Sequence, residues 1–204
     1  MENSLYPEGV GSSAPRQFMK RLYPTRVVYR FLRDMLSSMG DMRSGRKGSL
    51  VSKEFSERIM LAVTEVNGCR YCSYFHTQVA LKAGLDAQEI NDTLAGDFGN
   101  TPAEELPALL FAQHYAEQAG QPDPETVEKL KTVYGEARAR AIIANIRGIM
   151  IGNASGNAFD ALRLRLKGQP SGQTSLGDEL LAVFGLPLMM PAALVHNLIK
   201  SKQN

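Results

Sequence analysis

Helix boundaries recur along this chain, and hairpin signals do not. Thr101, Pro102 and Glu104 offer an N-cap, a proline at the first helical position and an early acid, predicting a helix through about Ala119. Asp123, Pro124 and Glu125 repeat the pattern. Asp86, with Glu89 three residues on, predicts a capping-box-like start after a stop at Gly84. Two further helices are expected, from about Glu54 to Val66 and from about Glu136 to Leu166. Sustained period-2 alternation bounded by Asn-Gly or Asp-Gly turns is missing, so the expected fold class is all-α.

With 204 residues, 44% of them hydrophobic, the chain is long enough to bury a sizeable core. Three segments are expected. Residues 1–48 comprise a flexible arm to residue 15 and a basic amphipathic helix interrupted near Pro24, with nine basic residues against two acids over 16–47. A solvated outer helix is expected, with contact to an anionic surface the alternative, and Arg43 to Ser49 reads as a linker. Residues 49–167 form a helical core that contains the C-x-x-C. Residues 168–204 are a linker, GQPSGQTSLG, and an apolar helical tail, uncharged from Leu180 to Val195. That run is short for a bilayer span, and Gly185, Pro187 and Pro191 interrupt it. The tail is therefore expected in an oligomer interface or packed back on the body, with membrane contact the lesser reading.

Gly148, Gly152 and Gly156 fall at four-residue spacing inside the long helix. Each costs about 1 kcal/mol relative to alanine, so the spacing predicts close approach of another backbone. Basic and acidic residues number 23 and 21, a net charge of +2, and Trp is absent, which sets aside nucleic acid as the partner. The N-terminal MENSLYPEGVGSSAP has no basic stretch leading into an apolar one, so a cytoplasmic location is expected. His114 and His196 lack partner signals and read as structural or exposed histidines.

The chain has two cysteines, three apart, which excludes a disulfide framework linking distant segments. Asn67-Gly68 predicts a turn, placing Cys69 at or near the start of a helix. Advancing about 100° per residue, Cys69, Cys72 and His76 share an arc of about 60°. A thiol at a helix N-terminus feels the positive end of the macrodipole, which favours thiolate, and His76, one turn after Cys72, is placed to relay a proton. In the preceding helix the core stripe is Phe55, Ile59, Ala62, Val63 and Val66, and the charged stripe is Glu54, Arg58 and Glu65. Glu57 belongs to neither. It is expected on a second buried face, where an imidazole is a suitable partner. Zinc held by Cys69, Cys72, His76 and Glu57, and two inert core thiols, are the competing readings of the same residues.

Glu57, Cys69 twelve residues on, and C-x-x-C-x-x-x-H ending at His76, with Asn67-Gly68 before the first cysteine, resemble the alkylhydroperoxidase AhpD-like, or carboxymuconolactone decarboxylase-type, superfamily. TQVALKAGLDAQEI, FAQHYAEQAG and DPETVEKLKTVYGEARARAIIANI look like its downstream helices, so the resemblance spans roughly residues 50 to 160. It implies an oligomeric helical bundle with a redox-active dithiol and no bound cofactor. By position, Cys72 looks like the peroxide-attacking residue, Cys69 like the resolving thiol that closes the disulfide, and Glu57 and His76 like members of the proton relay. A small hydroperoxide or disulfide would be the substrate, and a lipoylated or thioredoxin-like protein the external thiol reductant. Hydroperoxidases of this superfamily carry a histidine where this chain has Tyr71. The alternatives are a lyase or isomerase working through His76 and Glu57, and a non-enzymatic redox-responsive scaffold.

Overall fold

The computed structural model describes residues 20–201, so the arm proposed for residues 1–15 lies outside the described residues. Among these residues there are nine helices and no strand: α1 (Thr25–Lys47), α2 (Lys53–Asn67), α3 (Arg70–Ala83), α4 (Ala87–Leu94), α5 (Leu106–Glu117), α6 (Pro124–Tyr134), α7 (Glu136–Leu166), α8 (Leu176–Phe184) and α9 (Leu186–Ser201). The all-α expectation holds.

Helix α7 is the axis of the bundle, with α1, α2 and α8 as its main neighbours. It has no single apolar face to present. Ile142, Ile146 and Met150 are buried, and so are Asn145, Asn153 and Asn157. Buried amides are costly unless bonded, and here the partners come chiefly from α2. Ser56 donates its hydroxyl to Asn145 Oδ1 (2.8 Å), Thr64 donates to Asn153 Oδ1 (3.2 Å), and Asn157 Nδ2 donates to the carbonyl of Asn67 (2.7 Å). Partner numbers rise together along both helices, so α2 and α7 run parallel and these rungs set their register.

Helix α1 belongs to the body. It starts after Pro24 and buries Val28, Phe31 and Leu32. It continues through Arg43–Lys47, correcting the linker expected there: Gly45 lies against α7, where an added Cβ would fall 2.6 Å from Ala141 Cβ. This is the close helix approach that the α7 glycines were expected to make. Gly152 instead faces solvent, and an added Cβ at Gly148 would meet only the mobile Met42 methyl. The basic character of this segment also has a structural use. Arg21 donates to the Glu117 carbonyl (3.0 Å) and Arg30 to that of Ala119 (2.8 Å), so two guanidinium groups neutralise the negative C-terminal end of α5.

Helix α5 corrects another boundary. Pro102 to Glu105 form a turn, closed by the Glu105 N–H on the Pro102 carbonyl (2.8 Å), and the helix begins at Leu106. Pro107 explains the shift. Started at Pro102, the helix would hold Pro107 in its interior, where a missing N–H and a ring clash are costly; started at Leu106, the proline sits in the first turn. The Asp86 and Asp123 starts fall where expected, although only Asp86 caps through its side chain, accepting from Gln88 N and Glu89 N. The Glu89 carboxylate turns instead to Arg58, which also pairs with Glu105. Arg58 thus ties α2 to α4 and to the turn before α5.

The tail packs back through its few polar groups. Glu179, almost fully buried, takes two 2.8 Å bonds from Arg165 of α7, and Asn197 Nδ2 donates to the Arg33 carbonyl of α1. The chain bends by 77° between α8 and α9, and no single helix among the described residues is long and apolar enough to cross a membrane. The outer sides of both helices leave Phe184, Leu188, Leu194 and Leu198 exposed.

Asp178 joins the two ends of the bundle. It completes a capping box with Ser175 and accepts from Thr25 N (2.8 Å) and Thr25 Oγ1 (2.7 Å) at the start of α1. The donors from Thr25 and Ser175 hold its carboxyl well below the ordinary value of 3.8. A depressed folded-state pKa means that the contribution is complete above 3.8 and is lost as pH falls through the lower, folded value. Asp178→Ala is therefore expected to lower stability at neutral pH by on the order of 1 kcal/mol, with the gap narrowing in acid. Urea midpoints of both proteins across pH test this, and a gap independent of pH would contradict it.

Candidate functional site

The site forms where α2 hands the chain to α3. Gly68 closes α2 in the left-handed conformation (φ 65°), which favours glycine, and Cys69 becomes the N-cap of α3. The connection is held by buried Asn67. Its carbonyl accepts from Asn157 Nδ2 and from Arg21 N (3.1 Å), and its side chain accepts from the Tyr23 hydroxyl (2.7 Å). A two-residue turn on a surface would be mobile; this one is fixed on both sides.

Cys69 and Cys72 are joined as a disulfide, with Cα atoms 5.3 Å apart. The two sulfurs are not equivalent. Cys69 is fully buried, and its Sγ accepts the Cys72 N–H (3.3 Å), so the cap interaction usually made by an oxygen is made by sulfur. Cys72, in the first turn, is only half-buried. Gly156 of α7 faces the pair: an added Cβ would lie 2.6 Å from Cys69 Sγ and 3.4 Å from Cys72 Sγ. That glycine makes room for sulfur rather than for a backbone.

Glu57 lies on the second buried face of α2, beside Met60, Leu61 and Thr64. Its Oε2 is 2.8 Å from Nδ1 of His76 on α3, and each side chain is about one-eighth exposed. With Nδ1–H donating to the carboxylate, the neutral ring carries its lone pair on Nε2. Cys72 and His76 are one turn apart on one face of α3, and the Glu57 carboxylate reaches that imidazole from α2. The four residues singled out by spacing are brought to one place. Among the described residues, no group of three His, Cys, Asp or Glu side chains is arranged to hold a metal ion.

A charged cluster beneath the helix start escaped the sequence reading. Asp160, buried on α7 one turn after Gly156, pairs with Arg70 and Lys20 and accepts from the Tyr71 hydroxyl (3.3 Å). Arg70 also donates to that hydroxyl (3.0 Å), with its guanidinium 4.9 Å from the ring centre. Burial pushes the Tyr71 phenol up, but the Arg70 hydrogen bond and the charges of Arg70 and Arg163 outweigh it and leave the phenol below its ordinary value. Nothing in local spacing links Asp160 to Arg70, ninety residues earlier.

The model of the carboxymuconolactone decarboxylase family matches residues 33–117. That segment is similar to the family. The segment contains Glu57, Cys69, Cys72 and His76, and the paired cysteines fit its C-x-x-C branch. It begins inside α1, earlier than the resemblance suggested, and ends with α5, so the partner helix α7 lies beyond it. No curated protein and no solved structure matches the chain.

The two exposed-side and sulfur-side glycines of α7 separate helix propensity from sulfur packing. Gly152→Ala, whose Cβ meets nothing closer than 3.9 Å, is expected to raise stability by about 1 kcal/mol. Gly156→Ala should forfeit that gain in the oxidised protein and shift the thiol–disulfide equilibrium with dithiothreitol toward the dithiol. Equal stabilisation by both substitutions in the oxidised form would show that sulfur is not pressed against α7.

Proposed function

We propose that this chain is a member of the carboxymuconolactone decarboxylase family and an AhpD-like thiol oxidoreductase that reduces a hydroperoxide, or a disulfide, through a Cys69–Cys72 cycle. The observation that carries this reading is the joint placement of a buried and a half-buried cysteine in one disulfide at a helix start, with the Glu57–His76 pair one turn away. Cys72 is the accessible sulfur, which suits attack on substrate. Cys69, buried and bonded by an amide, suits resolution.

In this cycle the Cys72 thiolate attacks the terminal oxygen of the hydroperoxide. An S–O bond forms as the O–O bond breaks, and the alkoxide takes a proton from the His76–Glu57 pair and leaves as alcohol. Cys72 is now a sulfenic acid. The Cys69 thiolate attacks it, the disulfide closes, and hydroxide leaves as water after protonation. An external dithiol, lipoylated or thioredoxin-like, returns two electrons and two protons; no bound cofactor is required. Recharging calls for a reducing compartment such as the cytoplasm. Self-association is part of the proposal, supported by the exposed apolar side chains of α8 and α9.

Reduced protein exposed to cumene hydroperoxide is expected to lose both thiols. Cys72→Ser should abolish the loss, and Cys69→Ser should leave a sulfenic acid that dimedone traps. Glu57→Gln should slow the first step by about 10²-fold or more. Thiol loss that persists unchanged in Cys72→Ser would overturn the assignment, and lactone turnover that survives removal of both cysteines would favour a lyase using Glu57 and His76.

A further inference from the structure

A cavity of about 690 Å³ opens beside the proton relay, between the end of α1, the start of α2 and the second half of α3. Glu57 forms one wall, and Val51, Val79 and Ala83 supply apolar lining. Its charges are one-sided. Arg46, Lys53 and Lys82 line it, and Glu57, already engaged by His76, is the only acid. Arg58, Arg70 and Arg165 all have carboxylate partners, whereas Arg46, Lys53 and Lys82 form no ion pair among the described residues. The N-terminus of α2, capped by Ser52, opens on the same space and adds its positive dipole end.

Helical geometry connects the cavity to the disulfide. Cys72, His76, Val79 and Ala83 fall within an arc of about 60° on α3, so one continuous stripe leads from the sulfur, past the relay, into the cavity. From Cys72 to Lys82 the helix rises about 15 Å.

We propose that this cavity binds the anionic end of an elongated substrate: a hydroperoxide whose carboxylate is held by Arg46, Lys53 and Lys82 while its peroxide reaches Cys72. This rests on the hydroperoxidase reading above and specifies its substrate class. Apolar walls suit the intervening alkyl chain, and the 15 Å span, about ten residues of helix, sets acid and peroxide far apart rather than on neighbouring carbons. The chemistry at sulfur is unchanged; the carboxylate only positions the substrate.

A fatty-acid hydroperoxide with the peroxide near carbon 13, compared with its methyl ester, isolates the charge. Full-length protein with an excess of dithiol reductant should favour the acid over the ester by about tenfold in kcat/KM, about twofold per cation. Added salt should diminish the preference. An Arg46→Gln, Lys53→Gln, Lys82→Gln triple variant, altered only at exposed positions, should lose the preference while keeping the ester rate. Equal use of acid and ester, or a preference that survives in the triple variant, overturns the proposal. Calorimetric binding of dodecanoate to the oxidised protein supplies a readout independent of turnover. Binding that the triple variant loses supports the anion site even if neither hydroperoxide reacts, an outcome that would sink the peroxidase reading alone. Absence of dodecanoate binding in the parent sinks the anion site.

Discussion

The hydrogen bonds between α2 and α7 are the constraint on which the site depends. Ser56, Thr64 and Asn67 meet Asn145, Asn153 and Asn157 in order, so sliding one helix along the other by a turn would leave several buried polar groups without partners. Each such loss costs about 1–3 kcal/mol, whereas apolar contacts between the same helices are far more tolerant of a shift. The last rung ends on the carbonyl of Asn67, the residue before the αL turn. Register at the helix pair therefore becomes position at the dithiol. The same rung aligns Gly156, one residue before Asn157, with the two sulfurs.

Much of this was legible locally, because the signals are local. The Asn67-Gly68 turn, the cysteine cap, the Asp86 start and the 31-residue α7 arise from short-range geometry, and neighbours did not override them. Glu57 was legible by elimination, since it fits neither the apolar nor the charged stripe of α2. What was illegible depended on residues about ninety apart in sequence: Asp160 under Arg70, Asn157 on Asn67, and Gly45 against Ala141. The α7 glycine spacing predicted a neighbouring backbone on all three, but Gly156 admits sulfur, Gly148 a methyl group and Gly152 faces solvent, because glycine spacing alone does not say what approaches. Pro107 was a local signal that lost to a nearer one: Thr101-Pro102 looks like a helix start until the later proline is required to fit as well.

The charges around the dithiol fall into two groups with different consequences. On the α7 side, Asp160 draws Arg70 and Lys20 together, so a buried carboxylate is compensated and its neighbours are held in place. Much of the positive charge of Arg70 is thereby neutralised, so in the proposed cycle the thiolate would rest more on the amide and dipole at the start of α3. On the α2 side, Glu57 and His76 form a pair that is largely shielded from solvent but not sealed. In the proposed cycle, the Glu57 carboxylate steadies the imidazolium formed while Nε2 of His76 holds a proton, and delivery of that proton toward the leaving oxygen returns the ring to neutral.

These two sides give the cysteines different environments from a single helix start. Cys69 occupies the cap, where φ and ψ are extended and the side chain turns back over the first turn, into the space that Gly156 leaves open. Cys72, three residues later, already belongs to the helix and stands on the outward side of the pair, in line with His76. In the proposed cycle, exchanging the two roles would require the sulfur that lies against Gly156 of α7 to meet substrate. The asymmetry therefore comes from the step between cap and helix, and the glycine that a long helix would ordinarily disfavour by about 1 kcal/mol is what allows that step to close on sulfur.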